Sequence, residues 1–230
     1  MHGAKRKSYE LDSGQDTKKH KSRQAPWWQK GPLYHVYPKS FYDSNGDGIG
    51  DLEGITMKAD YLKSLGITGI WMSPFFKSPM VDNGYDIEDY LQVDPIFGSL
   101  DDFKKLIDTF KAKNIKVVID FVPNHTSDQH ECFQKSRQKI HPYTDYYIWK
   151  SANEDKVPTN WKSVFGGSAW QWDNERKEYF LHQFYKEQPD LNLRNENVRK
   201  ELRETLRFWL NLGVAGFRVD AVPHFFEDER

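Results

Sequence analysis

The stretch Lys116-Val-Val-Ile-Asp-Phe-Val122 is the least interrupted apolar run in the chain, and it leads into Pro123-Asn124-His125. A run that is apolar on both faces suits a parallel strand covered by helices better than a half-solvated antiparallel one. Three further runs have the same character: Leu33 to Phe41, Gly66 to Pro74 and Gly216 to Val222. Between them, apolar residues recur at three- and four-residue steps. The sets are Ile55, Ala59, Leu62 and Leu65; then Phe103, Leu106, Ile107 and Phe110; then Val198, Leu202, Leu206, Trp209 and Leu210. Each set turns one apolar stripe of a helix toward a sheet. Strands alternating with helices make this an α/β chain built from β-α units.

The alternation breaks between about Thr126 and Asn192, a region crowded with Trp149, Trp161, Trp170 and Trp172 and punctuated by Gly166-Gly167. Within it, Ser168 to Trp172 and Tyr179 to Phe184, joined through Asp173-Asn-Glu-Arg, form an expected antiparallel hairpin. An irregular segment of that size inside a compact domain is expected to be a small subdomain with a function. At the other extreme, the first 25 residues carry seven Lys or Arg against three acids and almost nothing apolar, which predicts a disordered basic tail over 1–26.

Composition narrows the partners. The 33 basic and 34 acidic residues leave a net charge of −1, without the electrostatic footprint of a nucleic-acid binder. No run approaches the roughly 20 apolar residues of a membrane span, and the amino end lacks a signal-peptide core, so localisation stays undetermined. The single Cys132 permits no internal disulfide and no cysteine-built zinc site.

Four strands and three helices amount to about half of a closed eight-stranded barrel, which takes about 250 residues. The expected fold is therefore a partial TIM (β/α)8 barrel: its first four strands, with a small inserted subdomain after the third. The first units occupy 27–125, the insertion 126–192, and the third barrel helix and fourth strand 193–230. An open four-stranded parallel sheet is the competing fold, but a half-barrel with two bare edges points to a truncated chain.

Four constellations carry chemistry. Asp43-Ser-Asn45-Gly-Asp47-Gly-Ile49-Gly-Asp51 spaces oxygen donors at alternate positions with a backbone carbonyl at the seventh, a cage for a hard cation such as Ca2+. Gly54 at the twelfth place cannot supply the bidentate carboxylate of a helix-loop-helix calcium site, and a polar Asx-Gly turn is the alternative. On the third strand, Asp120 and Asn124 share a face and His125 emerges at the strand end, where barrel enzymes assemble their sites. Asn124-His-Thr126 also fits a glycan acceptor, although a strand end facing a barrel mouth is a poor place for one. On the fourth strand, Arg218 and Asp220 lie two residues apart and point the same way. A neighbouring cation favours a carboxylate anion, the form a covalent nucleophile at a sugar carbon requires; a structural ion pair is the plainer reading. Finally, Asp82-Asn-Gly-Tyr85-Asp86 combines a carboxylate for sugar hydroxyls with an aromatic face for a pyranose ring, or is an Asn-Gly turn.

Together these residues resemble the alpha-amylase family of glycoside hydrolases, and within it the maltase-like alpha-glucosidases. Asp120-Phe-Val-Pro-Asn-His125 is similar to the family's first signature, Gly216-Phe-Arg-Val-Asp220 to its second, and Gln188-Pro-Asp-Leu-Asn192 to the segment near the end of the inserted subdomain. The likeness runs from Trp27 to the last residue. It implies that Asp220 is the nucleophile, Arg218 its positioning partner, His125 a donor to the reacting glucose and Tyr85 the platform beneath it. Asp82 would hold the far hydroxyls of a terminal glucose. Asp43, Asn45, Asp47, the Ile49 carbonyl and Asp51 would hold structural Ca2+, and the small Ala221 fits α-1,4 bonds. Maltose and short α-glucans are the implied substrates.

The implied reaction is retaining hydrolysis through a glucosyl ester, with a second carboxyl group as acid. The resemblance places that acid after a fifth strand, whereas Arg230 follows the fourth, and Glu227 lies too close to Asp220 to replace it. The expectation is an incomplete glucosidase lacking its general acid. The alternative is the non-catalytic ectodomain of a heavy-chain subunit of a heteromeric amino-acid transporter with a light-chain partner, which resembles the same glucosidases. Retention of Arg218, Asp220, His125 and Tyr85 argues against it.

Overall fold

The computed structural model describes residues 25–227, and the basic tail up to residue 24 lies outside them. Strands β1 (Leu33–Val36), β2 (Gly69–Met72), β3 (Phe76–Lys77), β4 (Asp89–Val93), β5 (Lys116–Phe121), β6 (Trp149–Lys150), β7 (Trp170–Asp173), β8 (Glu178–Leu181) and β9 (Gly216–Val219) are interleaved with six helices. The helices are α1 (Pro38–Phe41), α2 (Leu52–Met57), α3 (Ala59–Ser64), α4 (Leu100–Ala112), α5 (Glu131–Arg137) and α6 (Glu196–Asn211).

The architecture is mixed α/β. Its main sheet has four parallel strands in the order β1-β2-β5-β9. The register pairs Trp71 with His35 and with Val118, and Asp120 with Arg218. Strand alternation then sorts side chains by face. Val36, Ile70, Met72, Val117 and Ile119 are buried against the helices, whereas His35, Trp71, Asp120 and Arg218 share the opposite face. Phe217 packs on the helix side at the rim of the core, while Val219, on the same face by alternation, is 43 % exposed at β9, the edge strand among the described residues.

The sequence runs overestimate the first strand. Pro38, which has no N–H to give to a ladder, starts the short helix α1 instead. The first helical stripe is likewise broken into α2 and α3 at Lys58, so Ile55, Ala59 and Leu62 are buried but Leu65 caps the second piece and is exposed. Helix α4 follows its pattern closely. Ser99 and Asp102 form a capping box, and Phe103, Leu106, Ile107 and Phe110 are all buried; each such side chain contributes roughly 1.5–3 kcal/mol. Helix α6 buries Val198 and Trp209, and leaves Leu210 exposed. Trp209 is central: its ring meets Phe75, Phe76 and Phe103 at 4.9–5.5 Å, and its Nε1 donates to the Tyr90 carbonyl at 2.8 Å.

The insertion folds around its own sheet, ordered β6-β8-β7, with β7 and β8 as the antiparallel hairpin. Phe133, Tyr146, Tyr147, Phe180, Leu191 and Val198 form one of its apolar clusters, with the half-buried Cys132 packed at the margin. Burial, with Glu201 and Glu131 adding, pushes the Cys132 thiol up to about 12, so it remains a protonated packing group. The segment returns toward the end of β5 through a bridge from Asp190 to His125, and a bridge from Leu191 to Tyr147 closes the insertion on itself. A second feature escapes the sequence pattern: β3 and β4 form a short antiparallel ladder with a register shift, and residues 78–88 project from it as a loop.

Candidate active site

The exposed face of the parallel sheet carries a charged cluster at the carboxyl ends of its strands. Asp120, whose side chain has no exposure, accepts from Trp71 Nε1 at 3.2 Å, Tyr85 Oη at 3.1 Å and Arg218 Nη1 at 3.0 Å. Arg218 uses the same nitrogen to contact Asp220 Oδ1, and its guanidinium lies 5.0 Å above the Trp71 ring. That ring is stacked at 3.9 Å on His35, whose Nε2 meets Ser73 Oγ at 2.8 Å. Burial raises the Asp120 carboxyl above its ordinary range against the opposing pull of Arg218. Asp220 itself keeps 17 % side-chain exposure, open enough to meet a ligand.

The second wall comes from the loop after β3. Asp86, fully buried, accepts from the backbone N–H groups of Val81 and Asp82, both at 2.9 Å, and the loop winds around it. Asn83 at φ 51° and Gly84 at φ 99° let the chain reverse there, presenting Asp82 and Tyr85 to the cluster. Burial pushes the Asp82 carboxyl upward, with the nearby Asp86 and Asp220 adding repulsion while the Gln188 bond opposes it.

The insertion supplies the third wall. Gln188, fully buried, donates from Nε2 to Asp82 Oδ2 at 2.9 Å and to His125 Nε2 at 3.1 Å. His125 is 1 % exposed, and burial drives its imidazole down to about 3, so it is neutral. Asn124 is equally buried, its amide 3.3 Å from Asp190 Oδ1, which leaves no room for a glycan. Tyr85, Arg218 and Asp220 are thus joined around Asp120, and Asp82 and His125 are joined through Gln188. Sequence reasoning passed over Trp71 and named Asp120 and Gln188 only as members of motifs, without assigning their contacts. The signal for the first two was parity: both occupy the same strand face as Arg218.

The Asp43–Asp51 loop stands apart. Asp43 accepts from the N–H groups of Asn45, Gly46 and Gly48 at 2.7–3.1 Å, and these bonds hold its carboxyl below the ordinary range. Asn45 accepts from Asp47 N at 2.9 Å and Asp47 from Ile49 N at 2.8 Å. Asp51 accepts from Ser44 and caps α2 through Gly54 N at 2.6 Å. The donor set is all oxygen, which fits a hard cation in kind. Its carboxylates are already engaged by backbone, and among the described residues no three His, Cys, Asp or Glu side chains form a metal-holding group.

A family model for the alpha amylase catalytic domain matches residues 35–230. The chain belongs to the alpha-amylase family. Within it, the chain is 52 % identical over 214 residues to the salivary alpha-glucosidase of Anopheles gambiae, covering 91 % of this chain and 36 % of that protein. It is 51 % identical over 205 residues to the amino acid transporter heavy chain SLC3A1 of Rattus norvegicus, covering 87 % of this chain and 30 % of that one. Among solved structures, the alpha-glucosyl transfer enzyme XgtA superposes with a TM-score of 0.87 at 52 % identity, over 90 % of this chain and 39 % of that enzyme. The chain therefore spans about a third of the length of the curated relatives it matches.

Proposed function

We propose that the chain carries the nucleophile side of a retaining alpha-glucosidase acting on maltose and short α-1,4-glucans, and that its parallel sheet is the first half of a (β/α)8 barrel wall. The observation carrying this is the Asp120–Arg218–Asp220 cluster. One guanidinium bridges a buried anchoring carboxylate and a second, partly open carboxylate.

In this reading Asp220 Oδ attacks the anomeric carbon, the glycosidic C–O bond breaks, and an ester forms that water later cleaves. Arg218 and Asp120 keep the nucleophile aimed. Tyr85 and His125 line the ring of the reacting glucose, and Asp82, steadied by Gln188, holds the hydroxyls of a chain end. The proton for the departing oxygen would come from a carboxyl outside these residues, since none of them is placed for it.

The Asp43–Asp51 loop would hold Ca2+ through Asp43, Asn45, Asp47, the Ile49 carbonyl and Asp51, tying the corner between β1 and α2. The bound ion would supply positive charge that stiffens an anionic loop.

A 5-fluoro-glucosyl fluoride tests the nucleophile without the acid, because fluoride leaves unassisted. The C–F bond breaks, the Asp220 ester forms and fluoride departs. Mass spectrometry should find one sugar adduct on the peptide holding Asp220 and none in Asp220→Asn. Lack of an adduct in the wild type would favour the second reading, a non-catalytic heavy chain, which the 51 % identity to the rat transporter subunit supports.

A further inference from the structure

Two residues beyond β8 sits Gln183, whose amide is gripped on every side. Its Nε2 donates to Asp190 Oδ2 at 2.8 Å and to the His224 carbonyl at 2.8 Å, and also contacts Glu227 Oε1. Its Oε1 lies 2.8 Å from His224 Nδ1. Two N–H groups facing three oxygens leave no donor free. His224 is thus held by both its ring and its backbone. The adjacent Phe184 packs edge-on against His224 at 5.1 Å and lies 4.9 Å from His125.

His224 ends the single turn Val222–His224 that directly follows Asp220 and Ala221. Ala221 occupies the left-handed region at φ 53°, ψ 26°, a conformation that a residue with a Cβ keeps only where its surroundings impose it. One imposing contact lies upstream, where Asp220 N donates to the Phe121 carbonyl at 2.9 Å. The downstream contact is the Gln183 grip.

We propose that Gln183 is a positioning residue for Asp220: it latches the turn after β9 to the inserted subdomain and so fixes the direction in which the nucleophile carboxylate points. The proposal rests on the alpha-glucosidase reading for its catalytic consequence and on the hydrogen bonds alone for its mechanical one. Through Asp190 and Asn124 the same latch reaches the residues beside His125, so the insertion braces nucleophile and sugar wall together.

The test compares wild type with Gln183→Leu and Gln183→Glu in fluoro-glucosyl trapping and in limited chymotrypsin digestion. Gln183→Leu should lower the maximal trapping rate about ten- to hundred-fold, as expected for a misaimed group, and leave the half-saturating donor concentration within about two-fold. Gln183→Glu, whose carboxylate would face Asp190 and Glu227, should trap slowly at neutral pH. Relative to wild type, it should recover toward about pH 5, where a protonated carboxyl regains a donor. Both variants should be cut faster at Phe225 and Phe226 at neutral pH.

An unchanged maximal rate in Gln183→Leu would overturn the proposal. So would a loss confined to half-saturation, or no acid recovery in Gln183→Glu. If the wild type itself forms no adduct, the alpha-glucosidase reading fails separately, and equal cleavage of wild type and Gln183→Leu at Phe225 and Phe226 then overturns the latch as well.

Discussion

The amide of Gln188 bonds the ring of His125, Nε2 to Nε2, at 3.1 Å, while its other N–H serves Asp82. An amide nitrogen only donates, and the Asn124 amide lies 3.3 Å from the other ring nitrogen, Nδ1, so the buried imidazole is held between two side-chain amides. One buried side chain from the insertion thereby ties a residue just beyond β5 to a carboxylate on the β3–β4 loop.

Replacing Gln188 with Leu would strand both partners in a buried setting. A lost hydrogen bond to a charged group costs about 1.5–3 kcal/mol, so the half-saturating concentration of the fluoro-glucosyl donor should rise about ten- to hundred-fold. Trapping at unchanged half-saturation would show that Asp82 and His125 do not hold the sugar.

Arg218→Met should be strongly destabilising, because Asp120 has no side-chain exposure and would lose its cation. Breaking a buried pair costs about 3–5 kcal/mol, and the 39 % exposure of Arg218 places this case at or below the lower bound. The sign with pH follows from the raised Asp120 carboxyl. The folded state holds its proton to higher pH than the unfolded one, so this group's contribution is present below the unfolded value of 3.8 and is lost as pH rises through the folded value. Losing Arg218 widens that window, and the variant should weaken more steeply than wild type as pH rises. Parallel stability–pH curves would refute it.

His125 acts in the opposite direction. Its ring is pushed down to about 3 from 6.5, so the unfolded chain takes up a proton that the folded one refuses. Its stabilising share is complete above pH 6.5 and declines on acidification toward about 3, by at most about 1.4 kcal/mol per pH unit. His130, lowered to about 4, and His182, also lowered, add to the trend, so the measurement is the difference between wild type and His125→Asn in urea titrations across that range. A difference that stays flat with pH would show His125 to be solvated.

The parallel sheet was legible because it is covered by helices: apolar strands and helical stripes imprint themselves on the sequence, as in Val117 to Phe121 and in Phe103 to Phe110. The β3–β4 ladder was not, since two residues such as Phe76–Lys77 are too few to show a period. Site residues on regular strands, Arg218 and Asp220, could be placed by parity. Gln188 and Gln183 could not be given partners, because their contacts with Asp82 and His224 span 106 and 41 residues and depend on how the insertion folds back.

Calcium should raise the melting temperature and a chelator should reverse the gain, by about 2.7 kcal/mol at a hundred-fold excess over the dissociation constant. Asp47→Ala should abolish the response and leave the calcium-free melting point near wild type, because Asp47 is exposed and holds one backbone N–H. Insensitivity of the wild type to both additions would leave the segment as a set of Asx turns alone.

Asp120 and Arg218 face each other as Cα partners in the β5–β9 ladder. If β9 slipped by one residue, Phe217 or Val219 would stand opposite the carboxylate and the guanidinium would swing to the helix side, stranding two charges at once. The ion pair therefore works as a key cut for a single alignment. Under the proposed reading the same two groups would aim Asp220, so substitutions that misaim it there should also disturb the pairing of β9 with β5.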